Sequence, residues 1–387
     1  MIRTLKILAV ALCLLSTQFA YARTNPCSSQ ECVKPQPCPP KPCKPCPPVC
    51  LERGYPDTNC CMTPAYNEPA SFELGPCQWN VWLDASFTYW VAEEEGLDLA
   101  TSASTVSGTQ LVTDAVLLLQ NTQWKPGFKI GLGADLNHDN WSGYAEYTWF
   151  RSKTTTNASA PNGPSGSTYP IWIINNWALG TAYTTQVSSK WHLGIDLLDV
   201  GVMRPFYQGT HLIIAPFGGL RATWIRQNLR IAIVPFSKTP SSVRPSAVFH
   251  SKADSWAVGP RGGLQGRWHL GYGFRVEGDA GATLSFTRYP TIACKADPVT
   301  VAAPTYRSSK YHNYDCIRFN NDVNIGLGWG DYFDCRNYHF DVLLTYDFQI
   351  FWNQNMQRQL VDHTQAVGGP ASSLGLQGLT LKAEFDF

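Results

Sequence analysis

Residues 379–387 read Leu379-Thr380-Leu381-Lys382-Ala383-Glu384-Phe385-Asp386-Phe387, and they alternate without a break. Every odd position is apolar and every even one polar. In extended backbone successive side chains point to opposite faces, so a period of two describes a strand with one apolar side. The other side carries Lys382, Glu384 and Asp386. Two folds use such a strand. It either closes a soluble sandwich, half-buried, or turns its apolar face to lipid.

The same alternation recurs upstream. Trp79, Val81, Leu83, Ala85, Phe87, Tyr89 and Val91 oppose Asn80, Asp84, Ser86 and Thr88. Phe128, Ile130, Leu132 and Ala134 oppose Lys129 and Asp135, and the turn at 138–140 sends the chain back through 141–151. Trp191, Leu193, Ile195 and Leu197 oppose Lys190, His192 and Asp196, which predicts an outward apolar side there too. Residues 211–225 read as a strand with apolar groups on both faces, so neither is assigned outward. Phe274, Val276, Ala280, Leu284 and Phe286 oppose Arg275, Glu277 and Asp279; Tyr338 to Trp352 oppose His339, Asp341 and Asp347.

Several runs reach the roughly 9–11 residues a bilayer-crossing strand needs, beyond the mode of about 5–6 in soluble proteins. Short turns near 138–140, 200–209, 269–272 and 333–337 alternate with long polar stretches near 92–122, 153–186, 235–254, 290–317 and 353–374. Short turns at one end and long loops at the other are the pattern of a transmembrane barrel. The predicted fold class is all-β, a transmembrane antiparallel β-barrel over residues 78–387 with about 10 strands in a range of 8–16.

The start of the chain agrees with export. Residues 1–22 read as a signal peptide: Arg3 and Lys6, an apolar run over 7–15, then Ala20-Tyr21-Ala22 as the cleavage site. No stretch of 18 apolar residues offers a membrane helix. Charged residues are 15%, against about 25% in ordinary soluble domains, and aromatics are 13%. A net charge of +1 argues against a nucleic-acid partner.

Hydrocarbon offers backbone groups no partner, so a spanning sheet must close and turn its charges inward. That makes Lys129, Asp135, Lys190, Asp196, Arg275, Glu277, Asp279, Asp341, Asp347, Lys382 and Glu384 the pore-lining candidates. They either line a wet channel or pair into a network that plugs a narrow barrel. Trp79, Tyr89, Trp90, Trp141, Trp149, Trp191, Trp224, Trp268, Tyr338 and Trp352 lie near strand ends, as interface girdles require, the alternative being large core residues of a sandwich.

Residues 23–77 form an irregular Pro/Cys-rich segment that cannot build a core. Its cysteines, Cys27, Cys32, Cys38, Cys43, Cys46, Cys50, Cys60, Cys61 and Cys77, are candidates for disulfide cross-links to other envelope proteins or to further copies of the chain as a homo-oligomer, with local intrachain bridges as the alternative. Cys43 and Cys46 have metal-type spacing but no well-formed partner pair or nearby histidine, so no metal is expected. Cys294 and Cys316 flank one long stretch and are loop-disulfide candidates. Searches for nucleophile elbows, zinc motifs and phosphate loops find none, so neither a cofactor nor a catalytic residue is expected, and the chain does not read as an enzyme.

The segment from Trp124 to Gly133, then His138-Asp139-Asn140-Trp141, Tyr147 to Phe150, Trp191 to Asp199 and Pro216 to Ile225 resemble the MOMP-like outer-membrane proteins of environmental chlamydiae and legionellae, which are porin-like major outer membrane proteins. The closing aromatics Phe385 and Phe387 resemble the terminal assembly signal of bacterial outer-membrane barrels. The resemblance implies a bacterial outer-membrane location, contact with outer-membrane lipids and with the barrel assembly machinery, and passive diffusion of small hydrophilic solutes. The alternative is a structural envelope protein or adhesin with a closed barrel and displayed loops.

Overall fold

The computed structural model describes residues 80–103, 116–136, 141–159, 167–170, 172, 184–209, 211–235, 247–298, 307–333, 338–364 and 371–387. The expected signal peptide over 1–22, the segment over 23–77 with its cysteines, and the expected turn at 138–140 lie outside the described residues. The strands are β1 (Val81–Glu94), β2 (Ala100–Ala103), β3 (Val116–Leu118), β4 (Trp124–Asp135), β5 (Ser142–Ser159), β6 (Ser167–Pro170), β7 (Thr184–Met203) and β8 (Tyr207–Gln208). They continue with β9 (Leu212–Pro235), β10 (Ala247–Gly271), β11 (Phe274–Pro298), β12 (Arg307–Phe333) and β13 (Tyr338–Asn355), then helix α1 (Met356–Thr364) and β14 (Ser372–Asp386).

Ten long strands form one closed ring in the order β1, β4, β5, β7, β9, β10, β11, β12, β13 and β14, each antiparallel to the next. The residues quoted first make the closure. Ser86 lies opposite Lys382 and Phe87 opposite Leu381, while Phe387 and Val81 exchange backbone bonds of 2.9 and 3.1 Å. The ring has no free edge, and every strand finds its backbone partners within the wall.

Turns at one end are tight. Gly271 and Gly273 (φ 100° and 81°) flank Tyr272 at φ 54°, and the glycines supply the left-handed backbone that reverses β10 into β11. At the other end the strands run on. β9 extends to Pro235 and β10 starts at Ala247, while β11 reaches Pro298 and β12 starts at Arg307. Much of what reads as long polar loop near 235–254 and 290–317 is therefore wall.

The barrel has two storeys with opposite chemistry. In the lower one, towards the tight turns and both strand termini β1 and β14, the outer face is bare apolar surface: Phe87 is 56% exposed, Ile325 59% and Leu327 63%. Those side chains meet lipid, and the even-numbered ones of β14 point inward. In the upper one the interior itself is apolar. Trp191, Ile195, Ile225, Leu229, Phe249 and Ile292 are buried there, packed with Leu99, Trp172 and the α1 residues Met356, Leu360 and Val361. Trp172 packs on Phe249 with ring centres 5.4 Å apart and donates its indole N–H to the Asp98 carbonyl at 2.7 Å.

This storey corrects three expectations. Along β7 the alternation is as predicted but its sides are reversed: Leu193, Ile195 and Leu197 point inward, and Lys190 and Asp196 lie on the outer face, not in the lumen. Above the lipid the inside is the drier place, so the apolar side turns in. Trp90 and Trp191 are for the same reason buried in this core, not girdle residues. Cys294 and Cys316 are both free. Cys294 lies opposite Ser309, and Cys316 opposite Thr287, so seven residues of strand separate them. At about 3.3 Å per residue that is several times the roughly 7 Å limit for a bridge.

The ambiguous strand is resolved too. In β9 Ala215, Arg221, Thr223 and Ile225 point inward, and Pro216, Leu220 and Trp224 outward.

Candidate functional site

Below the apolar core the lumen holds a cavity of about 240 Å³. Its lining runs from Asn80, Asp135, Met203 and Ile213 at the tight-turn end to Trp90, Leu197 and Leu376 on the underside of the core. Between them the wall is charged, because the lower strands must turn every polar group away from lipid.

Arginines span the lumen. Arg221 on β9 grips Asp199 with two bonds of 2.6 Å, and reaches Asn320 at 2.6 Å and Asp322 at 2.9 Å on β12. Arg261 on β10 joins Asp322 at 2.7 Å. Nearer the turns Arg275 on β11 bonds Glu277 and, on β13, Asp341, each at 2.8 Å. Gln265 donates to Glu277 at 3.0 Å, and His339 meets Asp386 at 2.9 Å. Lys382 pairs with Glu384 and lies 3.9 Å from Asp84.

A fourth group ties the charges to the core. Lys129 contacts Asp347 at 3.2 Å, and Asp347 also accepts from Thr345 at 2.6 Å and Thr380 at 2.7 Å. Thr380 in turn accepts the Trp90 indole N–H at 3.1 Å, and the Lys129 ammonium sits 5.2 Å from the Trp90 ring centre. Removing one partner from the more deeply buried Arg275–Asp341 pair strands a charge, at a cost of about 3–5 kcal/mol.

Nine of the eleven predicted lining residues face the lumen. Lys129, Asp135, Asp279, Asp347, Lys382 and Glu384 line the cavity, and Arg275, Glu277 and Asp341 form the belt of pairs beside it. Lys190 and Asp196 are on the outside, as above. Eight further charged lining residues, Asp84, Glu146, Asp199, Arg221, Arg261, Arg267, Asp322 and Asp386, are not among the eleven. Arg221 sits in the strand with two apolar faces. Asp199 lies where β7 still carries its apolar inner row, and in β12 the polar Asn321 interrupts the outward apolar row between Phe319 and Val323, beside Asp322. No cluster of three potential metal ligands occurs among the described residues.

A closed antiparallel ring with a lipid-facing apolar band and an inward charge network defines an outer-membrane β-barrel. The chain belongs to the family described as Legionella pneumophila major outer membrane protein precursor, whose model matches residues 75–387. It is a protein of the bacterial outer membrane. No curated protein matches it. Among solved structures it is similar to the outer membrane protease OmpT from Escherichia coli, at 11% identity and a TM-score of 0.41, over 82% of this chain and 99% of that one. A major outer membrane protein from Thermus thermophilus is similar at 9% identity and a TM-score of 0.27, over 80% and 99% of the two chains.

Proposed function

We propose that this protein works as a closed barrel, an envelope scaffold that holds its outer storey clear of the membrane and keeps its lumen sealed at rest. One observation carries the reading: the described residues of the upper lumen pack as a protein core, with Ile195, Leu229, Ile231, Ile292 and Val361 fully out of contact with solvent. Ions need a continuous wet path, and buried aliphatic groups exclude it. Cross-linking through the cysteines of residues 23–77 would suit the same role by strapping the barrel to its neighbours.

A second reading, a porin for small hydrophilic solutes, is favoured by the charged cavity beneath the core, which has the mixed-sign walls of a diffusion channel. Conduction on this reading requires α1 and its contacts to withdraw. Planar bilayers separate the two. The scaffold predicts a heat-modifiable, well-folded barrel that stays electrically silent. Discrete open-channel steps from the unaltered protein at modest voltage would replace the scaffold with the porin.

A further inference from the structure

Arg288 pairs with Asp315 and Lys295 with Asp297 on the outside of β11 and β12, and the outer face of the upper storey gathers an excess of positive charge on one wall. Four strands, β5, β7, β9 and β10, present it in register. Trp149, Asp196, Trp224 and Trp256 lie side by side across them and top the lipid-facing band. The next row up holds Arg151, Gly194, Arg226 and Asp254; the one after, Lys153, His192, Asn228 and Lys252; the third, Thr155, Lys190, Arg230 and His250. Residues opposite one another in an antiparallel sheet share a face, so six lysines and arginines stand together against two carboxylates.

The nearest row is built. Asp196 accepts from the Tyr147 hydroxyl at 2.7 Å and from Arg151 at 2.8 Å, and its other oxygen takes Arg226. Arg151 also lies 5.0 Å from the Trp149 ring centre, which fixes the guanidinium directly over the aromatic row. Arg226 remains 55% exposed. Lys153, Lys190 and Arg230 are exposed and have no carboxylate partner among the described residues. The opposite wall differs at the same height: its outward positions are Glu93, Gln377, Ile350 and Trp352.

We propose that this wall binds the phosphate-bearing headgroup of an outer-leaflet lipid. Three arguments fix the occupant. The patch is continuous with the surface that touches acyl chains, so a bound headgroup keeps its tails in the band below. Its charge complements phosphate: Arg226, Lys153, Lys190 and Arg230 turn exposed donors outward, while Arg151, bonded to Asp196 and to the Phe150 and Ile195 carbonyls, holds the row in place. Four strands at about 4.8 Å and three rows at about 6.7 Å give a field of roughly 15 by 14 Å, the scale of a headgroup with more than one phosphate and too broad for a single inorganic ion.

The test uses the folded barrel in neutral detergent, with retention of diphosphoryl lipid A read by native mass spectrometry beside its fully dephosphorylated counterpart. The wild type should retain the diphosphoryl form preferentially. Each surface cation near an anionic layer is worth about fivefold in affinity, so Lys153→Gln with Lys190→Gln should lower retention by about tenfold or more. Neither lysine has an internal carboxylate partner, so this pair leaves the fold alone. Arg151→Gln with Arg226→Gln should do at least as much, and Glu93→Gln on the far wall should change nothing. The proposal is overturned if the lysine variant retains lipid like the wild type, or if the dephosphorylated form is held equally. Displacement of the lipid by equimolar sodium pyrophosphate would make the patch a free-anion site and also overturn it.

Discussion

Lys129 on β4 reaches past β1 and β14 to Asp347 on β13, closing an ion pair of 3.2 Å across the lumen. The lysine also lies over Trp90, whose indole N–H is bonded to Thr380, so one pair joins the cavity to the apolar core. Replacing Asp347 with Ala should cost about 1.5–3 kcal/mol, since Lys129 loses a charge-assisted bond but still faces the cavity beside Glu146. The double variant Lys129→Met, Asp347→Leu should recover most of that loss. Urea unfolding midpoints in lipid vesicles check this, and equal losses in single and double variants would contradict it.

Sealing by the core is open to direct test. Leu360 and Val361 on α1 are buried in it. Carboxylates there cannot stay desolvated without partners, so Leu360→Asp with Val361→Asp should hydrate the upper lumen or drive α1 out. Bilayer recordings should then change from silence to current. A variant that folds and stays silent would mean that the seal does not depend on α1.

Cys294 should be chemically inert in the folded barrel. It lies above the lipid band with its side chain buried, and burial pushes its thiol up to about 11. The thiolate is the reactive form, so iodoacetamide at pH 8 should label it only after unfolding. Serine at both 294 and 316 should leave mobility on a non-reducing gel unchanged. Rapid labelling of Cys294 in the native protein would refute its burial.

Phe387 closes the ring through two backbone bonds to Val81 and stacks on Phe385 at 6.1 Å, which in turn stacks on Tyr338 at 5.7 Å. Deleting Phe387 removes both bonds and the last aromatic contact at the seam. The heat-modified gel shift should appear more slowly on refolding and reverse at a lower temperature. An unchanged refolding rate would mean that closure does not depend on the last residue.

How far the sequence could be read follows from which solvents flank each strand. In β1, β11, β13 and β14 one side meets lipid and the other a polar lumen, so the alternation is complete and its sides are legible. Arg275, Glu277 and Asp341 were found that way. In β7 the alternation is equally clear, yet it straddles the lipid boundary. Leu193 and Leu197 turn inward to a core while Val200 and Val202 turn outward to lipid. The phase slips between them, and only the position of the boundary says which side is which. β9 shows apolar groups on both faces because it serves both storeys. The core itself was illegible, since Leu99, Trp172 and Leu360 come from connecting segments whose short apolar runs carry no period.

The length of the wall has a consequence for what meets the cell from outside. β12 has 27 residues, which at about 3.3 Å each and a tilt near 40° gives a height of roughly 65–70 Å, against an apolar band of about 25 Å. The sheet therefore rises as a stiff chimney, and the upper ends of β11 and β12 stand tens of ångströms above the bilayer. An antibody or phage approaching the bacterium would meet those strand ends long before it reached lipid.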